Sequence, residues 1–319
     1  MRILISDQNF GDDARLEREL AEAAGVEIVV ESCREEDELG RALARHRPDV
    51  LLVQFASVGR GTLASANGLR AIVRYGVGVD NVDIAAAAEV GVAVARVPDY
   101  CLDEVADHTL ALTLALERGL VALAREVDAG GWGFRAAGSV RRIQGRRLGL
   151  LGFGQIARRV AARASGFGYG VHAHDPALTG EEIRAAGALP RSFEELLRGA
   201  DVLSIHAPLT DATRHLVDEH ALALLPRGAI VVNTARGGVI DEDALVAAVA
   251  GGRLRGAGLD VLEDEPPPPD DPLRRTPGIL LTPHAAWYSE EAIVDLRRQA
   301  METSLALLRG ERPAGLVVG

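Results

Sequence analysis

The sequence predicts an α/β protein of two lobes, each a doubly wound parallel sheet. Three observations carry that reading. Short apolar runs alternate with amphipathic helical stretches twice over, across residues 1–100 and again from 147. One long apolar-periodic run separates the two series. The first strand of the second series runs straight into a glycine-rich turn that opens a helix.

In the first series, strands are expected near 2–5, 26–30, 49–54, 70–74 and 92–95. Val97-Pro98-Asp99-Tyr100-Cys101 then breaks the pattern. From Asp103, read as an N-cap, a periodic run reaches Ala129 and stops at Gly130-Gly131, which predicts one helix of about 25 residues. In the second series, strands are expected near 148–152, 169–174, 201–206, 228–233, 256–260 and 278–282. The acidic, Pro-rich stretch Glu263–Pro272 reads as a loop. An amphipathic run at 289–309 lies beyond the last strand and is expected to return to the first lobe. The expected domains are therefore 1–101 plus 286–319, discontinuous and binding substrate, and 102–285, binding a dinucleotide, with hinges near 101 and 285.

The glycine turn is the most specific local signal. Strand Leu148–Leu151 enters Gly152-Phe153-Gly154-Gln155-Ile156-Ala157, a helix pattern continues to about Ser165, and a second strand, Tyr169–His174, ends at Asp175. Gly152 allows the tight turn, Gly154 lets backbone N–H groups approach a pyrophosphate, and Ala157 keeps helix close to strand. The helix N-terminus faces the phosphate charge. Asp175, 23 residues after Gly152, is placed to accept hydrogen bonds from ribose hydroxyls and to repel a 2′-phosphate. No Arg or Lys lies between Pro176 and Glu182, so the cofactor expected is NAD rather than NADP. Residues 152–156 and Asp175 are thus the first cofactor-binding candidates, on a Rossmann-like or flavodoxin-like lobe.

Composition narrows the function classes. A formal charge of −11 argues against nucleic acid or anionic membrane as partner. The chain has no Lys, so all 35 basic residues are Arg. A Schiff-base mechanism is excluded, and any cationic role falls to Arg or His. No apolar run approaches a membrane span, and Met1–Ser6 reads as a strand rather than a signal segment, so a cytoplasmic location is expected. Cys33 and Cys101 have no disulfide or metal spacing, and no metal site is expected. The charge blocks Asp12–Glu19 and Glu35–Glu38 read as solvated helix faces.

Four constellations follow predicted strand ends, where open α/β sheets place their ligands. They are His206-Ala207-Pro208, Asn233–Asp241, Asp260–Pro266 and Thr282–Trp287. Within them Arg236, Glu265 and His284 form a working set for 2-hydroxy acid chemistry beside a nicotinamide. Arg236 would clamp a carboxylate bidentately and polarise the oxo group. His284 would pass a proton to and from the carbonyl oxygen, and Glu265 would orient the imidazole and favour its charged form. Singly, each has an ordinary alternative: a surface ion-pair Arg, a solvated Glu, a structural His. His206 and the other six histidines read as structural or exposed.

On Tyr75–Asp83, Val105–Leu112, Gly152–Ala157, Asn233–Asp241, Asp260–Pro266 and Thr282–His284, the chain resembles the NAD-dependent D-2-hydroxyacid dehydrogenase family over essentially its full length. The resemblance implies two lobes with a cleft between them and the triad Arg236, Glu265, His284. It implies substrate-carboxylate binding by backbone around Val77-Gly78 and contact of Thr109 with cofactor phosphates. It further implies that Ala207, Pro208 and Thr213 line the adenosine half and that Thr234, Ala235 and Asp260 lie near the nicotinamide. It also implies a homodimer through the cofactor domain, with Gly131–Arg147 embracing the partner.

Pro283–Ser289 and Val73–Asp80 are most similar to the C-terminal-binding-protein branch, which implies that Trp287 packs against an apolar or thioether-bearing 2-oxo acid. Glu265 argues against formate, since formate enzymes of the superfamily carry Gln there. The expected function is hydride transfer between NAD(H) and a small 2-oxo or D-2-hydroxy acid. The alternative is an NAD(H)-sensing, corepressor-like dimer with little turnover.

Overall fold

The computed structural model describes the chain from Met1 to Gly319 except Asn9, Asp12 and Arg34, so the Asp12 end of the first charge block lies outside the described residues. The chain divides into two compact units, Met1–Tyr100 with Ser289–Gly319, and Cys101–Tyr288. The second division falls after Tyr288. The reason is local: the Ala285 and Ala286 amides donate to Asp260, whereas Ser289 caps a new helix by accepting from Ala292 N.

In chain order the first unit contains β1 (Arg2–Ile5), α1 (Arg15–Ala23), β2 (Glu27–Val30), α2 (Glu36–His46), β3 (Val50–Val53), α3 (Arg60–Ala64), β4 (Ala71–Arg74), α4 (Ile84–Glu89) and β5 (Ala93–Arg96). The second unit opens with α5 (Leu102–Arg118) and α6 (Leu120–Asp128), followed by β6 (Arg147–Leu151), α7 (Gln155–Gly166) and β7 (Gly170–His174). It continues through α8 (Gly180–Ala185), β8 (Leu189–Pro190), α9 (Phe193–Gly199), β9 (Val202–Ile205), α10 (Glu219–Leu224) and β10 (Ile230–Asn233). It closes with α11 (Glu242–Ala250), β11 (Gly256–Leu259), α12 (Pro272–Arg275) and β12 (Ile279–Leu281). The chain then returns to the first unit as α13 (Glu290–Leu308) and β13 (Leu316–Val318).

The first sheet has the order β13-β5-β4-β3-β1-β2, parallel except for β13, which runs antiparallel to β5. The second has the order β12-β11-β10-β9-β6-β7-β8 and is parallel throughout. Its strands β9 and β10 are buried along their whole length, as a sheet covered on both faces requires. Among the described residues two strands escaped the sequence reading, β8 and β13, which are too short to show a period. The single long helix expected after Cys101 is two helices, broken at Gly119 in a left-handed conformation with φ +63. Asp103 is not the N-cap. It lies in the first turn of α5 and pairs with Arg163 of α7 at 2.6 Å.

The first charge block is likewise not wholly solvated. Glu17 and Ala21 form the buried face of α1, and Glu17 is 1% exposed. Its carboxylate accepts from Arg297 of α13 at both oxygens, Nε to Oε1 at 2.8 Å and Nη2 to Oε2 at 2.6 Å. Tyr75 OH donates to Oε1 at 3.1 Å, and burial together with the Glu17 charge pushes its phenol well above the ordinary value. Charge cancellation and three donors let this carboxylate lie in the core. Removing one partner leaves an uncompensated buried charge. Arg297→Met is therefore expected to lower the unfolding free energy in urea by about 3–5 kcal/mol; a loss below about 1 kcal/mol, the level of an exposed pair, would show the pair to be dispensable.

Candidate active site

In a parallel sheet all strand C-termini share one edge. The order of the second sheet therefore sets β12, β11 and β10, which carry His284, Glu265 and Arg236, side by side, with β9, β6 and β7 beyond them.

At the end of β6 the chain turns through Gly152 with φ +86, where a Cβ would lie 2.8 Å from Ala207 N. Only glycine fits a turn so formed and so crowded. Gly154 is the N-cap residue of α7, and no atom lies within 4 Å of where its Cβ would point. The helix N-terminus thus faces open space, as a pyrophosphate requires. Phe153 and Ala157 are wholly buried, while Gln155 and Ile156 form the first turn of α7. Asp175, at the end of β7, accepts from Phe153 N at 2.8 Å and Ala177 N at 2.9 Å. One bond ties the acid to the glycine turn, and the other folds its own loop into an Asx turn. These groups fit a dinucleotide.

His284 stands in the loop after β12, with φ +52. Its N–H donates to Asp260 O at 2.8 Å. Its Nδ1 lies 2.7 Å from Glu265 Oε2, while Glu265 Oε1 accepts from Leu262 N at 2.8 Å. The imidazole and carboxylate side chains remain 42% and 33% exposed, so the pair is accessible from solvent. Burial alone would raise the Glu265 carboxyl. The hydrogen bonds from His284 and Leu262 N–H, with the charges of His284 and Arg236, outweigh it and hold the group below the usual carboxylate range. Arg236 lies at the end of the loop after β10, where its Nη1 donates to Ala235 O at 2.7 Å and its carbonyl accepts from Asn233 Nδ2 at 2.8 Å. The next residue, Gly237, approaches the Leu262–Glu263 backbone too closely for any side chain, so the Arg236 and Glu265 loops lie against each other.

The structure brings Arg236, Glu265 and His284 together, and several of the other expected residues hold bonds within the loops around them. Asp260, 2% exposed, accepts from the Thr282 hydroxyl at 2.5 Å and the Ala285 and Ala286 amides at 2.9 and 2.8 Å. Thr109 is fully buried; its hydroxyl donates to Val105 O at 2.7 Å and lies 2.8 Å from the Thr234 hydroxyl. Thr213 donates to Pro208 O at 2.6 Å and accepts from Thr210 N, shaping the loop after β9 beside buried Ala207. Ala235 N donates to Asn233 Oδ1 at 3.0 Å, which closes the turn before Arg236. His206 is pushed down to about 4 by burial and is therefore neutral at pH 7. Trp287 lies in the same unit as His284 and packs edge-on against Tyr288. Val77 and Gly78 lie in the first unit, in the loop after β4. Among the described residues no group of His, Cys, Asp and Glu could hold a metal ion, and no helix is long and apolar enough to cross a membrane.

Comparison with known proteins adds an independent line. The family model for the NAD-binding domain of D-isomer specific 2-hydroxyacid dehydrogenases matches residues 110–286. The chain is 36% identical over 311 residues to D-3-phosphoglycerate dehydrogenase of Bacillus subtilis, covering 97% of this chain and 57% of that protein. It is 35% identical over 321 residues to the enzyme of that name from Methanocaldococcus jannaschii, covering 99% and 59%. The chain thus spans less than two thirds of the length of these relatives. A glyoxylate reductase from Korarchaeum cryptofilum is 38% identical over 256 residues, covering 79% and 77%. Among solved structures, a protein from Thermus thermophilus superposes with TM-score 0.89 at 35% identity, covering 100% of both chains. D-lactate dehydrogenase from Aquifex aeolicus, solved with NAD and lactic acid, superposes with TM-score 0.87 at 26% identity, covering 100% of this chain and 99% of that one.

Sequence reasoning passed over His108, Thr282 and Glu242, whose roles depend on partners far along the chain. Glu242 Oε1 accepts from Glu263 N at 2.8 Å, which fixes the loop carrying Glu265. Burial pushes its carboxyl up to about 7; the Glu263 N–H opposes this, and the charges of Glu263, Asp271 and Asp264 add to it. In the folded protein Glu242 keeps its proton to about pH 7, whereas the unfolded chain loses it near 4.5. Between those values the unfolded state binds fewer protons, so stability falls as pH rises through the window. Gln retains the acceptor and removes the charge. Glu242→Gln is expected to raise the melting temperature relative to the parent at pH 8 and to leave it nearly unchanged at pH 5. An equal effect at both values would exclude the titration.

Proposed function

The chain belongs to the D-isomer specific 2-hydroxyacid dehydrogenase family, and from that premise we propose that it transfers a hydride reversibly between NAD(H) and a small 2-oxo acid, giving the D-2-hydroxy acid. The observation that carries the proposal is the His284–Glu265 contact at 2.7 Å, with Arg236 close enough to help depress the Glu265 carboxyl. The turn at Gly152–Ile156 and the acid Asp175 would hold the cofactor, which supplies the hydride when bound.

Each residue then has a defined task. Arg236 binds the substrate carboxylate, a planar anion suited to a guanidinium fork. His284 Nδ1 donates to the ionised Glu265, which leaves Nε2 as the atom that carries the proton. Nε2 protonates the carbonyl oxygen in reduction and takes the hydroxyl proton in oxidation. Glu265 is held ionised by its two donors and so stays an acceptor for the imidazole. Trp287, close to His284 in sequence, would be the aromatic wall for an apolar substrate side chain. That role matches the similarity of Pro283–Ser289 to the C-terminal-binding-protein branch.

The homodimer reading is supported by a surface the single chain leaves bare. α6 buries none of its residues, and Leu120 and Val127 are 52% and 50% exposed. Just beyond it Trp132 and Phe134 are 91% and 80% exposed. A groove of about 680 Å³ opens between α6 and the following segment. Bare aromatic side chains beside a concave surface of the same unit suit a self-complementary contact, the isologous geometry of two-fold dimers.

The enzyme is tested by NADH oxidation against glyoxylate, pyruvate, hydroxypyruvate, phenylpyruvate and branched or thioether-bearing 2-oxo acids. His284→Gln is expected to cut kcat by about 10²–10⁴-fold while NADH still binds. Glu265→Gln keeps an acceptor beside Nδ1 but removes the charge that faces the imidazole, and is expected to lower kcat by at least about tenfold while NADH still binds. Tight NADH binding with negligible turnover across the whole panel would replace the dehydrogenase with an NAD(H)-sensing protein. Trp132→Ser with Phe134→Ser is expected to convert a dimer to a monomer in sedimentation analysis; an unchanged mass would place the interface elsewhere.

A further inference from the structure

His108 lies on α5, one residue before Thr109, with its side chain 25% exposed. Its Nε2 lies 2.9 Å from Thr282 Oγ1 and 3.6 Å from Asp260 Oδ1. Thr282 Oγ1 in turn lies 2.5 Å from Asp260 Oδ1. A carboxylate can only accept, so the one hydroxyl proton of Thr282 goes to Asp260. Thr282 Oγ1 is then the acceptor toward the ring, and His108 Nε2 must carry the hydrogen. The donation runs one way, from His108 through Thr282 to Asp260.

Asp260 is where the chain of bonds meets the turn that carries His284. Its carboxylate accepts from the Ala285 and Ala286 amides, and its carbonyl accepts from His284 N. His284 is held there at φ +52, a conformation that a non-glycine residue keeps only when its surroundings enforce it. Thr109, the next residue on α5, makes the matching contact with Thr234 in the Arg236 loop. One turn of α5 thus reaches both loops.

We propose that His108 is a positioning residue: through Thr282 it orients the Asp260 carboxylate that clamps the His284 turn, and so aligns the imidazole with Glu265. The catalytic consequence rests on His284 being the proton carrier, as proposed above; the clamp itself does not.

The test uses the whole 319-residue chain with His108→Leu, His108→Gln, Thr282→Val and the Leu/Val double variant. It reads steady-state kcat and KM, together with amide hydrogen exchange in a peptide covering 282–288. His108→Leu is expected to lower kcat about tenfold with KM for NADH within about twofold, and to speed exchange at Ala285 and Ala286 about tenfold. Gln can place an N–H near the position of Nε2, so His108→Gln is expected to restore both readouts to within about threefold of the parent. Thr282→Val should match His108→Leu, and the double variant should be no worse than either single, because all three cut the same chain. Exchange and kcat at parental levels in His108→Leu, additive losses in the double variant, or failure of Gln to rescue would each overturn the proposal. A parent protein that turns over no 2-oxo acid would refute the dehydrogenase reading, while amide exchange would still decide the clamp.

Discussion

The candidate site depends on one constraint: the strands of the second sheet all run the same way, so every loop bearing a functional group leaves from the same edge. β10, β11 and β12 are neighbours in that sheet, and their following loops carry Arg236, Glu265 and His284. Asp260, first residue after β11, then ties the middle strand to the loop of its neighbour with three bonds from Thr282, Ala285 and Ala286. A buried carboxylate must find donors, and this one finds them on the turn that has to be rigid. The cost of burying the acid and the positioning of the histidine are met by the same contacts.

Two carboxylates of neighbouring loops show how far environment can separate like groups. Glu265 accepts from His284 and Leu262 N–H and feels Arg236, which holds it ionised. Glu242 is pushed up to about 7 mainly by burial, with the charges of Glu263, Asp271 and Asp264 adding to it and only one backbone N–H opposing. The first is suited to pair with an imidazolium, the second only to brace a loop. With no Lys in the chain, cationic roles fall to Arg and His, and the buried Glu17–Arg297 pair shows what the guanidinium fork contributes: two parallel bonds to one carboxylate in the core.

Much of this was legible in the residues because the signals are local. Apolar runs of strand length between helical stretches located the strands of both series to within a residue or two, and Gly152, Gly154 and Asp175 marked the dinucleotide turn by spacing alone. Where the reading erred, the cause lay in contacts at long sequence separation. Glu17 looked solvated because its partner, Arg297, stands on the last helix. The run from Asp103 looked like one helix because nothing nearby announces that Gly119 takes a left-handed turn.

The sequence by itself determined the strand and helix alternation, the glycine turn and the residue types available for proton transfer, because periodicity and turn chemistry act over a few positions. Only the tertiary structure decided that β12, β11 and β10 stand side by side, that His284 Nδ1 meets Glu265, and that His108, Thr282 and Asp260 form one chain of bonds. Strand order and the pairing of side chains more than a hundred residues apart are set by how the whole sheet closes its core, and no window of sequence contains that information.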